Sequence, residues 1–180
     1  MTPDDETLVR QCLDGDLAAF ETLVERYEKK LFNVAFRMLN DLDAARDVTQ
    51  TVLLKSYGKL KSFDARYKFY SWIYRIAINE SINVLNERRR MEAVDERLLT
   101  AGMEPIEFTT SSELSEAIQE ALMNLKEELR SVIILRHYLD CSYRAIGRVL
   151  DIPEKTVKSR LFSARQQLKD ALSIHGILKT

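Results

Sequence analysis

Between Phe63 and Arg90 the chain concentrates side chains that stack on flat heterocycles and hydrogen-bond to their edges. Phe63, Tyr67 and Phe69 punctuate a short loop, and Tyr70-Ser71-Trp72-Ile73-Tyr74-Arg75-Ile76-Ala77-Ile78-Asn79 then leads toward Arg88-Arg89-Arg90. At roughly 100° per residue, Phe69, Ile73, Ile76, Ala77 and Val84 form one apolar face. Tyr74, Ile78, Ile82 and Leu85 form a second face opposite it. Between them runs a stripe of Trp72, Arg75, Asn79, Asn83, Asn86 and Arg90 with no acid among them. Aromatic surface with amide and guanidinium donors suits unstacked bases and phosphates. An amphipathic core helix with a basic end would produce much of the same pattern, so this stretch needs support from elsewhere.

Support comes from the other end of the chain. Ser142 is placed to cap a short helix, Leu150-Asp151-Ile152-Pro153 reads as a tight turn, and a longer helix starts at Glu154. That is the helix-turn-helix arrangement. On the last helix Val157, Leu161, Ala164 and Leu168 point inward, and Lys155, Ser159, Phe162, Ser163 and Gln166 point away. Lys158, Arg165 and Lys169 make one flank, and Arg160 the other, with Thr156 beside the helix start. A helix seated in a major groove needs small or hydrogen-bonding residues at its centre and cations at its edges. An outward Phe162 is unfavourable in water and useful against a thymine methyl. A merely solvated surface helix would not require it.

These segments sit in a chain of 180 residues, enough for one medium domain or two small ones. Five glycines and three prolines, against abundant leucine, alanine, glutamate, lysine and arginine, predict an all-α fold. Four helices to about Arg90 form a first domain (1–90). They are a short helix capped by Thr2-Pro3, a long one from Phe20 to Met38, a third capped by Asp41, and the aromatic helix. Residues 91–110 read as an acidic linker; Met91 to Glu116 holds seven acids and one arginine. A capping box near Thr110 to Glu113 opens a second helical domain (111–180), and from Lys126 onward eleven Lys or Arg face six acids. The acidic start Met-Thr-Pro-Asp-Asp-Glu is no signal peptide and no apolar run approaches bilayer length. A soluble, cytoplasmic protein without membrane contact is expected. Cys12 and Cys141 lack metal-ligand spacing and His137 and His175 are scattered, so neither a metal nor another cofactor is expected.

Three motifs in order closely resemble the extracytoplasmic-function (ECF) group of bacterial RNA polymerase sigma factors. Asp43-Ala44-Ala45-Arg46-Asp47-Val48-Thr49-Gln50-Thr51-Val52-Leu53-Leu54-Lys55 is similar to that family's polymerase-binding helix. Phe69-x-x-Trp72-Ile73-Tyr74-Arg75-Ile76-Ala77-x-Asn79 resembles its −10 recognition and melting helix. Tyr143-Arg144-Ala145-Ile146 through Ile152-Pro153-Glu154-Lys155-Thr156-Val157-Lys158-Ser159-Arg160-Leu161 resembles its −35 reading motif. Asp151 stands where glycine is usual, which predicts a left-handed aspartate in the turn. Thr49 and Thr51 replace common acids.

The resemblance implies a dissociable transcription initiation factor and no enzyme. Asp43, Asp47, Gln50, Leu53 and Leu54 would meet the clamp helices of the largest polymerase subunit, with the flap a further contact. Lys55, the loop Ser62, Phe63, Asp64, Ala65, Arg66, Tyr67 and Lys68, and Trp72, Arg75, Asn79, Asn83, Arg88 and Arg90 would hold the single-stranded −10 element. Lys155, Thr156, Lys158, Ser159, Arg160, Phe162, Ser163 and Arg165 would hold the −35 duplex. An anti-sigma protein is a further partner that the resemblance implies. The rival is a helix-turn-helix regulator that binds duplex DNA as a dimer without polymerase. A helical adaptor with no DNA role would leave Phe162 and the loop aromatics unexplained.

Overall fold

A computed structural model describes residues 3–95 and 113–174, and every regular element among them is helical. The helices are α1 (Asp5–Leu13), α2 (Leu17–Leu39), α3 (Leu42–Lys59), α4 (Phe69–Asp95), α5 (Glu113–Met123), α6 (Glu127–His137), α7 (Tyr143–Leu150) and α8 (Glu154–Ile174), with a 3-10 turn at Leu60–Ser62. The expected linker from residue 96 on, the capping box before Glu113 and His175 lie outside the described residues.

Local sequence explains most of the boundaries. Asp16 and Asp41 precede α2 and α3, and each accepts first-turn backbone N–H groups, from Ala18 and Ala19 and from Ala44. Ser142 does the same for α7 through Ala145. The first helix differs from expectation, because Asp4 is its cap, accepting from Thr7 N at 2.8 Å. An aspartate carboxylate is the better acceptor and stands directly before the first helical residue. Helix α4 also runs past Arg90 to Asp95. Met91, Glu92 and Ala93 are good helix formers, and the acid excess that reads as a linker begins inside the last turns of this helix.

Left-handed residues end α2 and α7, at Asn40 (φ 52°) and Asp151 (φ 56°). The latter fulfils the expectation for the helix-turn-helix. Inside α7, Gly147 is required by proximity: a Cβ there would lie 2.8 Å from the Ile152 carbonyl oxygen.

The buried side chains form one continuous apolar body. Leu23, Leu31, Met38, Phe69, Ile73 and Ile78 fill the first half, and Leu122, Ile134, Leu135, Ile146 and Leu161 the second. Helix α4 is enclosed on two sides, with α2 and α3 on one and α7 on the other. Both of its apolar faces are thereby covered. Helix α2 packs in turn on α5 and α6.

Buried polar groups at this junction are satisfied by backbone. Arg130, 4 % exposed, donates to the Leu122, Met123 and Leu125 carbonyls at the end of α5 and to Met38 at the end of α2. Burial, with Arg89 nearby, depresses its pKa below the ordinary guanidinium value. Cys141 is buried and its thiol is pushed up to about 11 by that burial.

Candidate nucleic-acid interface

The loop after α3 is shaped by its own charges. Asp64 accepts from the Arg66 backbone N–H and from its guanidinium, at 2.6 to 3.0 Å, which holds the carboxyl below its usual range. Lys68 is tied to Glu6 of α1 at 2.5 Å, and Lys55 to Glu80 of α4 at 2.7 Å. Two of the lysines expected to hold the −10 element therefore carry an acidic partner, a pairing that sequence spacing does not reveal.

The aromatics divide. Phe63, Phe69 and Trp72 pack on one another, with ring centroids 5.3 to 5.8 Å apart, so Phe63 and Trp72 stiffen the loop base as well as offering an edge. Tyr67 is about half exposed, with the Arg148 guanidinium 5.9 Å over its ring. Ser62, Ala65 and Arg66 are exposed at the loop surface. Along α4, Asn79, Asn83 and Arg90 are exposed as expected. Arg88 is drawn aside into a 2.7 Å bond with Asp41, where it braces the α3 cap. Arg75 is half-buried and points at α7, donating through Nε to the Val149 carbonyl at 3.1 Å and through Nη2 to that of Arg148. A cleft of about 670 Å³ lies here, with Phe63, Tyr67 and Trp72 on one wall and Arg144, Arg148 and Asp151 on the other.

Helix α3 presents Asp43, Asp47, Gln50 and Leu54 outward, while Val48 and Val52 are buried and Leu53 is half-buried against the core. Leu54 is 74 % exposed. Thr49 faces inward, its hydroxyl donating to the Ala45 carbonyl, so it is not part of this surface. Tyr57, one turn beyond Leu54 and packed edge-on to Phe20 at 4.8 Å, extends the same row. Its three-residue spacing from Leu54 is the signal that could have found it.

On α8, Lys155, Lys158, Ser159, Phe162 and Arg165 are exposed, and Phe162 is 74 % exposed. Thr156 and Ser163 are half-buried, and Arg160 is held by Glu128 at 3.1 Å. Arg165 lies beside His137, whose pKa is lowered by burial and by Arg165 and Arg136.

Residues 23–91 match the family model of Sigma-70 region 2, and residues 115–168 that of Sigma-70, region 4. Over 91 % of its length the chain is 31 % identical to the ECF RNA polymerase sigma factor SigW of Bacillus subtilis, of which 94 % is covered. The chain belongs to the ECF sigma factors. As a sigma factor it directs core RNA polymerase to promoters and begins their melting. The duplex-binding regulator is not favoured, because both sigma regions are present in order. The fold of this sigma factor also resembles that of CnrH, solved in complex with the cytosolic domain of CnrY, with TM-score 0.73, 24 % identity, and 94 % of this chain and 97 % of that one covered. It likewise resembles the sigma factor RpoE of Bartonella quintana, solved in complex with the anti-sigma factor NepR, at TM-score 0.71 and 23 % identity, covering 86 % and 97 %.

Proposed function

We propose that the outward row of α3 docks this sigma factor on the clamp helices of core polymerase. Asp43, Asp47 and Gln50 supply polar contacts and Leu54 the apolar anchor, with Leu53 supporting it from behind. The single observation that carries this is the 74 % exposure of Leu54 on a helix whose own apolar face is already filled by Val48 and Val52. An apolar side chain left in water beside acids and an amide suits a protein partner with a mixed surface.

The loop Ser62–Lys68, with Asn79 below it, receives a flipped base of the −10 strand, Tyr67 stacking and Asn79 hydrogen-bonding. Stacking and hydrogen bonds on the protein replace those lost from the duplex, which amount to a few kcal/mol per step. Ser159 and Phe162 read base edges of the −35 duplex while Lys158 and Arg165 hold its phosphates. On this reading residues 1–90 serve polymerase and the −10 element, 111–180 serve the −35 element and the flap, and 91–110 tether them. An anti-sigma protein covers the polymerase-binding surface in the cytoplasm, in line with the complex of the Bartonella relative.

The test is association of the full chain with core polymerase, followed by run-off transcription. Asp47→Arg, an exposed charge reversal with little consequence for folding, is expected to weaken core binding at least tenfold. Unchanged core affinity in a normally folded variant removes α3 from the docking surface.

A further inference from the structure

We propose that Glu6 and Glu80 set the stringency of −10 recognition: as fixed counter-charges to Lys68 and Lys55 they hold down sequence-independent attraction of the strand, so that its capture depends on base contacts. The proposal rests on the assignment of the loop and α4 to the −10 strand.

The pairing is systematic. Six cations are assigned to that strand: Lys55, Arg66, Lys68, Arg75, Arg88 and Arg90. Four of them have a carboxylate oxygen at 2.5 to 2.7 Å, from Glu80 on Lys55, Asp64 on Arg66, Glu6 on Lys68 and Asp41 on Arg88. Two of the acids have another task, since Asp64 shapes the loop and Asp41 caps α3. Glu6 stands in the first turn of α1 and Glu80 in the middle of α4. Among the described residues, the side-chain bond each of these two makes is the one to its lysine.

The −35 face is charged differently. On α8, Lys158 and Arg160 have carboxylates at 3.5 and 3.1 Å, and Lys155 and Arg165 pair with none among the described residues. The duplex-binding face therefore keeps cations in hand, while the strand-binding face is largely neutralised by its own acids.

A lysine that leaves a carboxylate for a phosphate exchanges one ion pair for another. Little net attraction is gained, and the contact carries no sequence information in any case. The base contacts of Tyr67 and Asn79 are untouched by this exchange. The duplex face can thus hold DNA of any sequence, and the strand face adds affinity only when a suitable base enters the loop. Without Glu6 and Glu80 every strand would gain alike. The affinity ratio between cognate and scrambled strands would stay the same, but scrambled ones would cross the threshold for melting.

The test uses holoenzyme assembled from core polymerase and the full chain, as parent, Glu6→Gln, and Glu6→Gln combined with Glu80→Gln. Glutamine keeps an acceptor for each lysine and removes the charge. Far-UV circular dichroism and thermal melting verify folding, and the single variant, at an exposed pair, serves if the double one fails to fold. A labelled random-sequence single-stranded 20-mer is titrated over a range of salt; the polymerase's own contribution is common to all three. The double variant is expected to bind about fivefold more tightly at low salt. Its slope of log affinity against log salt should steepen by about 1.4, and that of the single variant by about 0.7, as one added phosphate contact per freed lysine requires. On a promoter that the parent transcribes, scrambling the −10 element should cost the double variant severalfold less transcription than it costs the parent. Affinity and salt slope equal to the parent's in the folded variants refute the counter-charge role; a merely structural part for these acids would leave the slope unmoved. If the parent transcribes the intact and scrambled promoters equally, the −10 assignment itself fails, and the two failures are thereby distinguished.

Discussion

Arg130→Met tests whether a guanidinium can hold a fold together through backbone carbonyls alone. Arg130 is 4 % exposed, has no carboxylate among its hydrogen-bond partners in the described residues, and donates to four carbonyls at 2.5 to 2.9 Å. Three of those carbonyls close α5 onto α6 within the second domain, and the fourth belongs to α2. Methionine fills similar volume and donates nothing. The Leu122 carbonyl keeps the Leu125 N–H, and each buried acceptor left without a partner costs about 1–3 kcal/mol, so the gross loss over the Met38, Met123 and Leu125 carbonyls is about 3–9 kcal/mol. Part is recovered because a cation no longer has to be dehydrated, the same effect that depresses its pKa. The net destabilisation is expected near 3–5 kcal/mol, the lower part of that gross range. At roughly 2–4 °C per kcal/mol for a chain of this size, Tm should fall by about 6–20 °C. Arg130→Lys keeps the charge but not the planar fork and should fall between the two. Thermal unfolding followed by circular dichroism measures all three proteins. A methionine variant melting within about 2 °C of the parent would refute this account.

Asn79→Ala should reduce open-complex formation while sparing core binding, and permanganate footprinting equal to the parent would make Asn79 structural only. On α8, Phe162→Ala should cost about 1–3 kcal/mol on a cognate −35 duplex and little on a scrambled one. Lys158→Ala should weaken both duplexes alike and reduce the salt slope by about one unit; a salt titration of the full chain separates these outcomes. Asp41 accepts from Ala44 N and is braced by Arg88, so its folded pKa lies below the ordinary carboxylate value. Its stabilisation is present above that ordinary value and is lost as pH falls through the lower folded one. Asp41→Ala should accordingly lower stability by about 1–2 kcal/mol at pH 7, with the gap from the parent narrowing in acid; an equal gap at all pH values would contradict the assignment.

Where a feature depends on a few adjacent residues, the sequence already announces it. Asp41 before α3, Ser142 before α7 and the left-handed Asp151 were all legible, because caps and turns act over three or four positions. The exposed Phe162 followed from helical periodicity for the same reason, and the row on α3 from the family resemblance. Contacts between domains were not legible. Arg75, Gln119 and Arg130 bind backbone carbonyls 73 to 92 residues away, and a carbonyl has no residue type to advertise it. The run Met91 to Asp95 misled for a different reason: its acids suggest a tether, while its helix-forming propensity prolongs α4.

The double enclosure of α4 constrains how such a factor can change its promoter preference. Ile73, Tyr74, Ala77, Ile78 and Ser81 are all buried against one neighbour or another. A substitution at any of them is felt first as a packing defect, whatever it does to DNA. Variation that selection can use is channelled into the narrow exposed line of Asn79 and Asn83 and into the loop from Ser62 to Lys68. On the proposed assignment of the loop to the −10 strand, grafting that loop alone, with α4 untouched, is the economical route to a factor with a new target sequence.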